Sequence, residues 1–296
     1  MALVLLNPHA QGGRAARLAP RVEAWLGEHA PHAKFASPHS LDDSLHLLSQ
    51  QASGTRIVAM GGDGTLNRWL PMLLQQQLEL GLVPMGSGND TARAIGVHGQ
   101  NWQTALRHGL HGHCRPMDIG MAVFDDQRIP FLSSFTAGFD SAVGKRALEG
   151  PKWLRGLPRY VWATLNELAN IQAWDLRVHI NGELRFVGSS LFVSSLNTPT
   201  FGSGMPAAPK GHIGDGQLDV LHACEFSALQ ALWMLPQLLT GTHLGHQKIG
   251  LWPAQKILIE SNQALPVASD GEYLGTTHRL ELQVLPQALS VVMNAS

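Results

Sequence analysis

Three glycine-rich turns, each lying between a short apolar run and a helical pattern, constrain the first 120 residues more than any other feature. They are Asn7-Pro8-His9-Ala10-Gln11-Gly12-Gly13-Arg14 after the run 2–7, Gly61-Gly62-Asp63-Gly64-Thr65 after 56–60, and Pro84-Met85-Gly86-Ser87-Gly88-Asn89-Asp90 after 81–84. Helical patterns follow at 14–27, 65–78 and 90–95. Strands alternating with helices predict a parallel sheet covered on both faces. In such a sheet every strand-to-helix turn emerges at the carboxyl edge, where ligands bind. Glycine lets the backbone come close to a phosphate, and helix N-termini supply free amides with partial positive charge. Three such turns converging predict an anion site.

Two common phosphate motifs are absent. There is no Gly-Lys-Ser/Thr, and Gly86-Ser87-Gly88 is followed by Thr91 where the dinucleotide fingerprint needs a third glycine. Asp63 and Asp90 narrow the reading further. A carboxylate beside a phosphate implies a divalent cation between them. Their alternative role is helix capping, since Asp63 lies just before Thr65 and Asp90 opens its helix; the two roles are compatible.

The length of 296 residues suggests two domains, and the texture changes after Pro116. β-rich runs dominate there: 121–124, 131–136, 174–180, 184–187, 191–195, 218–222 and 256–260. Asn181-Gly182 between alternating runs signals a hairpin. Helical patterns interrupt at 158–171 and 227–239, and runs 280–284 and 288–293 close the chain. The expectation is an α/β domain over 1–120, a β-rich substrate domain with helical insertions over 121–285, and a tail, 286–296, returning to the first domain. A cleft between the domains is expected.

Charged residues make up only 15 % of the chain, well under the usual quarter. That predicts a large buried fraction, a greasy partner or an oligomer interface such as a homodimer. The net charge of −1 argues against a nucleic-acid partner. The two cysteines, Cys114 and Cys224, form no disulfide framework or metal spacing, which suits a reducing cytosol. The start lacks a signal-peptide pattern and no run approaches the ~18 apolar residues of a membrane span. The expected place is cytoplasmic, in peripheral contact with the inner membrane face.

Val58-Ala59-Met60-Gly61-Gly62-Asp63-Gly64-Thr65-Leu66-Asn67 resembles the signature of the diacylglycerol kinase catalytic domain. The likeness continues through Met117-Asp118-Ile119-Gly120, Ala137-Gly138-Phe139-Asp140, Gly204-Met205-Pro206-Ala207-Ala208-Pro209, Asp215-Gly216-Gln217-Leu218-Asp219-Val220 and Asp270-Gly271-Glu272. The resemblance implies a Rossmann-like nucleotide domain followed by a β-sandwich-like domain, of the NAD kinase/diacylglycerol kinase type. It implies ATP and Mg²⁺, and a lipid substrate with a free hydroxyl. ATP contacts would come from Asn7, Pro8, His9, Ala10, Gln11, Ser37, Gly62, Asp63, Gly64, Thr65, Leu66, Asn67, Arg68 and Ser87. Asp63, Asp90 and Asp118 would surround the magnesium. A second, structural metal would fall on Asp215 with backbone oxygens of His212 and Gln217. Glu272 would be the general base, with Asp63 and Asp118 completing the catalytic set. The sequence departs at Ser87, where threonine is common, at Arg68, where an acid is frequent, and at Gly214, where a polar residue is usual.

Read without the resemblance, Asp270-Gly271-Glu272 is an ordinary hairpin turn, placing Glu272 in a loop after the strand 256–260. Segment 151–162 mixes cations and aromatics, as membrane interfaces do, or is a half-buried helix and its lead-in. Residues 226–239 border a lipid pocket or pack in the core, and core packing is the better expectation. A kinase of a soluble acceptor, as NAD kinases are, and a nucleotide- or lipid-binding regulator without turnover are the rival functions.

Overall fold

The computed structural model describes residues 2–151, 153–154 and 157–294. It divides into two compact units, Met1–Ile119 with Pro286–Ser296, and Gly120–Leu285.

In the first unit, strands β1 (Ala2–Leu6), β2 (Lys34–Ala36), β3 (Arg56–Gly61) and β4 (Glu79–Pro84) run parallel in the order β2-β1-β3-β4. Ser290 and Val291 add a further parallel pairing, against Glu79 and Leu80. The helices are α1 (Ala19–His29), α2 (Leu41–Ser49), α3 (Asp63–Gln75), α4 (Asp90–Ala94) and α5 (Trp102–His111). Side chains alternate across the strands. Val4, Leu6, Val58, Met60 and Val83 share one core with Val22 and Leu26 of α1 and Leu106 and Leu110 of α5. Leu5, Ile57 and Ala59, at the alternate positions, are equally buried.

The helix expected at 14–27 opens as 3₁₀ helix to Leu18 and continues as α1 from Ala19. Gln11, Gly12 and Gly13 take φ of 54°, 65° and 87°, which turns the chain before the helix starts. Pro20 then sits in the first turn of α1, where its missing N–H costs nothing.

The second unit takes in the end of β5 (Cys114–Phe124). It continues with β6 (Gln127–Phe131), β7 (Ser134–Gly138), β8 (Trp174–Ile180), β9 (Glu183–Leu196), β10 (Leu218–Cys224), β11 (Ile249–Ala254), β12 (Lys256–Ser269) and the start of β13 (Glu272–Val292). Its pairings are antiparallel. β9 pairs β8 over Glu183–Ser190 and β7 over Phe192–Leu196, and β12 does the same over Ile257–Ser261 and Val267–Ser269. Two long strands that change partners midway are how a sandwich turns its corner. This merges the expected runs 184–187 and 191–195 into β9, and carries 256–260 on to Ser269. The expected strand 131–136 splits instead, ending at Phe131 and restarting at Ser134. Both hairpin dipeptides take positive φ: 53° and 87° at Asn181-Gly182, 45° and 84° at Asp270-Gly271.

Three helices complete this unit: α6 (Phe139–Glu149), α7 (Leu157–Ala169) and α8 (Ala228–Thr240). The sequence reading missed α6. It also expected α8 to pack in the core, whereas only Ala231 of that helix is buried and Leu229, Leu232, Trp233 and Leu239 are exposed. In segment 151–162, Lys152, Arg155 and Gly156 lie outside the described residues. Among the described residues no helix is long and apolar enough to cross a membrane.

Candidate active site

The turns after β1, β3 and β4 are fused into one scaffold. Asn7 N–H donates to the Met60 carbonyl at 3.0 Å, and Met85 N–H donates to Gly61 at 2.8 Å. The Asn7 Nδ2 donates to Thr65 Oγ1 at 2.7 Å. A Cβ at Gly62 would stand 2.7 Å from the Gly86 Cα, so two backbones touch where glycine alone fits. Asn89, at φ 57°, binds Gly86 twice: its Oδ1 accepts from Gly86 N–H at 2.8 Å and its Nδ2 donates to the Gly86 carbonyl at 2.7 Å. That clamp was not foreseen, although asparagine is one of few residues that tolerate this backbone region.

Asp63 ties the last two turns together. Its Oδ2 accepts from Asn89 N–H at 2.6 Å and from Asp90 N–H at 3.4 Å. The capping alternative therefore takes a different form from the one expected. Asp63 opens its own helix behind Gly62, and its carboxylate serves the helix that starts at Asp90. Burial raises the Asp63 carboxyl above its ordinary range, and the nearby Asp90 charge raises it further, against the lowering by the backbone amides. Two desolvated carboxylates in proximity are an oxygen donor set that a divalent cation would relieve, so these residues fit magnesium.

The remaining expected ATP contacts vary in what they offer. His9, Gln11, Arg68 and Ser87 are exposed, while Pro8, Ala10, Gly64 and Asn67 are half-buried. Ser37, half-buried, follows β2 beside the pairing of Ala36 with Leu5. The nearby His39 carbonyl meets His9 Nε2 at 3.1 Å. Leu66 is fully buried, so it presents only its backbone. Asp118, on β5, is fully buried and accepts from Gln287 N–H at 2.7 Å, where Gln287 takes φ 54°. The expected runs 280–284 and 288–293 are one strand, β13.

In the second unit Glu272 is the first residue of β13, half-buried and paired with Ser269 across the turn, so it lies on a hairpin and not in a loop. Asp270 has a structural task. Its carboxylate accepts from Leu132 N–H at 3.0 Å, Ser133 N–H at 2.8 Å and Ser134 N–H at 2.9 Å. Those amides are the ones freed where β6 breaks from β7.

Asp215 Oδ1 accepts from Gln217 N–H at 3.0 Å, and Gly214 N–H meets His212 Nδ1 at 3.2 Å. Burial, with the Asp215 charge behind it, pushes Asp219 up to about 6. Asp219 lies on β10, and a Cβ added at Gly211 would stand 2.7 Å from its Oδ2. Asp215 with the backbone oxygens of His212 and Gln217 is an oxygen donor set of the kind that suits a hard cation.

Residues 1–122 match the diacylglycerol kinase catalytic domain, and residues 133–293 match the YegS C-terminal NAD kinase beta sandwich-like domain. A "Diacylglycerol kinase" of Mycobacterium tuberculosis is 28 % identical over 97 % of this chain and 93 % of its own. A protein of Pseudomonas putida named "Probable lipid kinase YegS-like" is 31 % identical over 86 % of this chain and 82 % of its own. Among solved structures, a diacylglycerol kinase from Bacillus anthracis superposes with a TM-score of 0.71 at 19 % identity, covering 99 % of this chain and 96 % of that one. An ATP complex of the Archaeoglobus fulgidus NAD kinase follows at 0.57 and 11 %, covering 99 % and 94 %. The fold is thus the NAD kinase/diacylglycerol kinase type, an α/β domain and a β-sandwich-like domain. The chain belongs to the diacylglycerol kinase catalytic-domain family of lipid kinases.

Proposed function

We propose that this lipid kinase transfers the γ-phosphoryl group of ATP to the free hydroxyl of a diacylglycerol-like lipid. The observation that carries the reading is the Asp63 clamp: a desolvated carboxylate fastening two glycine turns at the carboxyl edge of a parallel sheet. Glycine turns there let the backbone approach phosphate oxygens, and Asn7, Pro8, His9, Ala10, Gln11, Ser37, Gly62, Gly64, Thr65, Asn67, Arg68 and Ser87, with the Leu66 backbone, surround them in this reading. Asp63, Asp90 and Asp118 hold magnesium, which when bound offsets phosphate charge. Positioning does most of the work of phosphoryl transfer. Glu272 takes the acceptor proton as the new oxygen–phosphorus bond forms and the bond to the ADP leaving oxygen breaks. Asp215, with backbone oxygens of His212 and Gln217, holds a second, structural cation that keeps the loop before β10 in shape. The domains run 1–120 and 121–285, with the tail 286–296 belonging to the first. The enzyme works as a cytoplasmic protein at the inner membrane face, and homodimerises through its lightly charged surface.

The test is ATP consumption with diacylglycerol, phosphatidylglycerol, ceramide or NAD as acceptor. Turnover with a diacylglycerol and none with NAD is expected. Turnover with NAD alone would sink the lipid reading, and no turnover with any acceptor would favour a regulator.

A further inference from the structure

Helix α8 carries large apolar side chains on two opposite sides, yet only one of them is covered. Ala231 is buried, and Met234, Leu235 and Leu238 pack beside it on the core of the second unit. At about 100° per residue, Leu229, Leu232, Trp233, Pro236 and Leu239 fall on one stripe about 120° wide on the opposite side. The four large side chains other than the proline are 66 %, 45 %, 71 % and 63 % exposed in that order. Such a stripe is ordinarily charged. Here the 22 residues 226–247 contain no Asp, Glu, Lys or Arg. The neighbouring α7, which touches α8, turns Val161 and Leu165 outward one turn apart.

The helix is firmly built. Ser227 and Gln230 form a reciprocal capping box at its start, and Gly241, at φ 73°, closes its end. Its outward apolar side is therefore a formed surface.

We propose that the outer stripe of α8, with Val161 and Leu165 of α7, seats this enzyme in the headgroup–acyl boundary of a lipid bilayer. The occupant rests on the lipid-kinase reading above, because an acceptor dissolved in a bilayer must be reached from its surface. Three observations favour a bilayer over a second copy of the chain. A helix of 13 residues is too short to span, but suits lying in the interface plane. Trp233 stands midway along the helix at one edge of the stripe, and tryptophan favours the depth where apolar and polar surroundings meet. A cation stands at the start of each helix: Lys248 Nζ holds the Glu225 carbonyl at 2.9 Å and Gln230 Oε1 at 3.3 Å at the start of α8, and Arg159 holds the Pro151 carbonyl at 3.1 Å at the start of α7. Lys and Arg at the rim of an apolar stripe meet lipid phosphates.

The test is sedimentation with vesicles of phosphatidylcholine and phosphatidylglycerol. Leu229→Glu, Leu232→Glu and Trp233→Glu together should reduce the bound fraction at least tenfold. Their melting temperature should stay at the wild-type value, and their turnover of a short-chain diacylglycerol in free solution should stay within twofold. Val161→Glu with Leu165→Glu probes the same face from α7 and should weaken binding in the same direction. Vesicle binding unchanged in both variants would overturn the proposal. So would a wild-type dimer that the first variant converts to monomers with vesicle binding intact, since a second copy would then own the face. Vesicle binding that depends on this face in a protein that phosphorylates no lipid would keep the docking surface and remove the reaction.

Discussion

Gly62 in the first unit and Gly271 in the second sit in turns of similar composition, and each is needed for a different reason. At Gly62 the requirement is space: the backbone is extended and a Cβ would collide with Gly86 Cα at 2.7 Å. At Gly271 the requirement is conformation: nothing lies within 4 Å, but φ is +84°. The neighbouring acids differ likewise. Asp63 fastens one turn of a nucleotide scaffold to the next while its own carboxyl is pushed up by burial and by Asp90. Asp270 fastens a strand break with three amide contacts, which places Glu272 at the head of β13. One turn brings two backbones into contact, and the other pins a strand break beside Glu272.

The largest effect should come from the residue that the second turn presents. Glu272→Ala should lower turnover by about 10²–10⁴ at unchanged ATP affinity, the usual contribution of a general base. Steady-state kinetics at saturating lipid, with ATP binding measured separately, checks this. Full turnover in the variant would reduce Glu272 to a hairpin residue and make the two turns alike.

Asp270→Ala should act on stability first. It leaves three buried amides, at Leu132, Ser133 and Ser134, without their acceptor. At about 1–3 kcal/mol for each unsatisfied group, partly relieved by water, a loss of about 3 kcal/mol is expected in denaturant titration. Lost turnover at native stability would instead move Asp270 into the chemistry.

The contrast also explains what the sequence carried. The period-3.6 helices and apolar strands of the first unit are local signals, so the three phosphate turns stood out at once. The Asp63–Asn89 contact spans 26 residues, and no pattern of spacing announces it. Asp270 is harder still, because its partners lie 136–138 residues away. In the second unit, β9 and β12 change partners midway, so the apolar alternation lapses around Gly188 and Glu260–Ala264 and each strand looked like a fragment. The apolar face of α8 was misjudged for a related reason: composition registers hydrophobicity, but only the fold decides which side of a helix is covered.

A third acid supplies a pH test of the same physics. Asp140, in the first turn of α6, has Ser194 Oγ as a donor at 3.0 Å, and burial pushes its carboxyl up to about 6. A helix N-terminus favours a negative charge by about 0.3–1 kcal/mol. The upward direction means that desolvation outweighs the lowering by the Ser194 hydrogen bond. The folded protein then binds the proton more tightly than the unfolded chain, near 3.8. Below about pH 4 both states are protonated and no penalty appears; stability falls as pH rises from 4 to about 6 and stays low above. Asp140→Asn should therefore be more stable than wild type by about 2 kcal/mol at pH 8 and equal to it at pH 4, given about 1.4 kcal/mol per unit less the lost helix term. Denaturation midpoints at the two pH values decide it, and a variant less stable at pH 8 would show that the helix N-terminus wins.

The glycine pair returns the smallest effects and the cleanest separation. Gly62→Ala forces the turn after β3 away from the turn after β4, because the obstructing atom is backbone and cannot swing aside. The misplaced amides should raise the Michaelis constant for ATP about tenfold, or about 1.4 kcal/mol, leaving lipid affinity alone. Gly271→Ala meets no atom, so its cost is the positive φ alone, about 1 kcal/mol of stability with nucleotide affinity unchanged. Both variants follow from one added methyl group. If Gly271→Ala weakened ATP binding while Gly62→Ala did not, backbone proximity would not be what the first turn contributes.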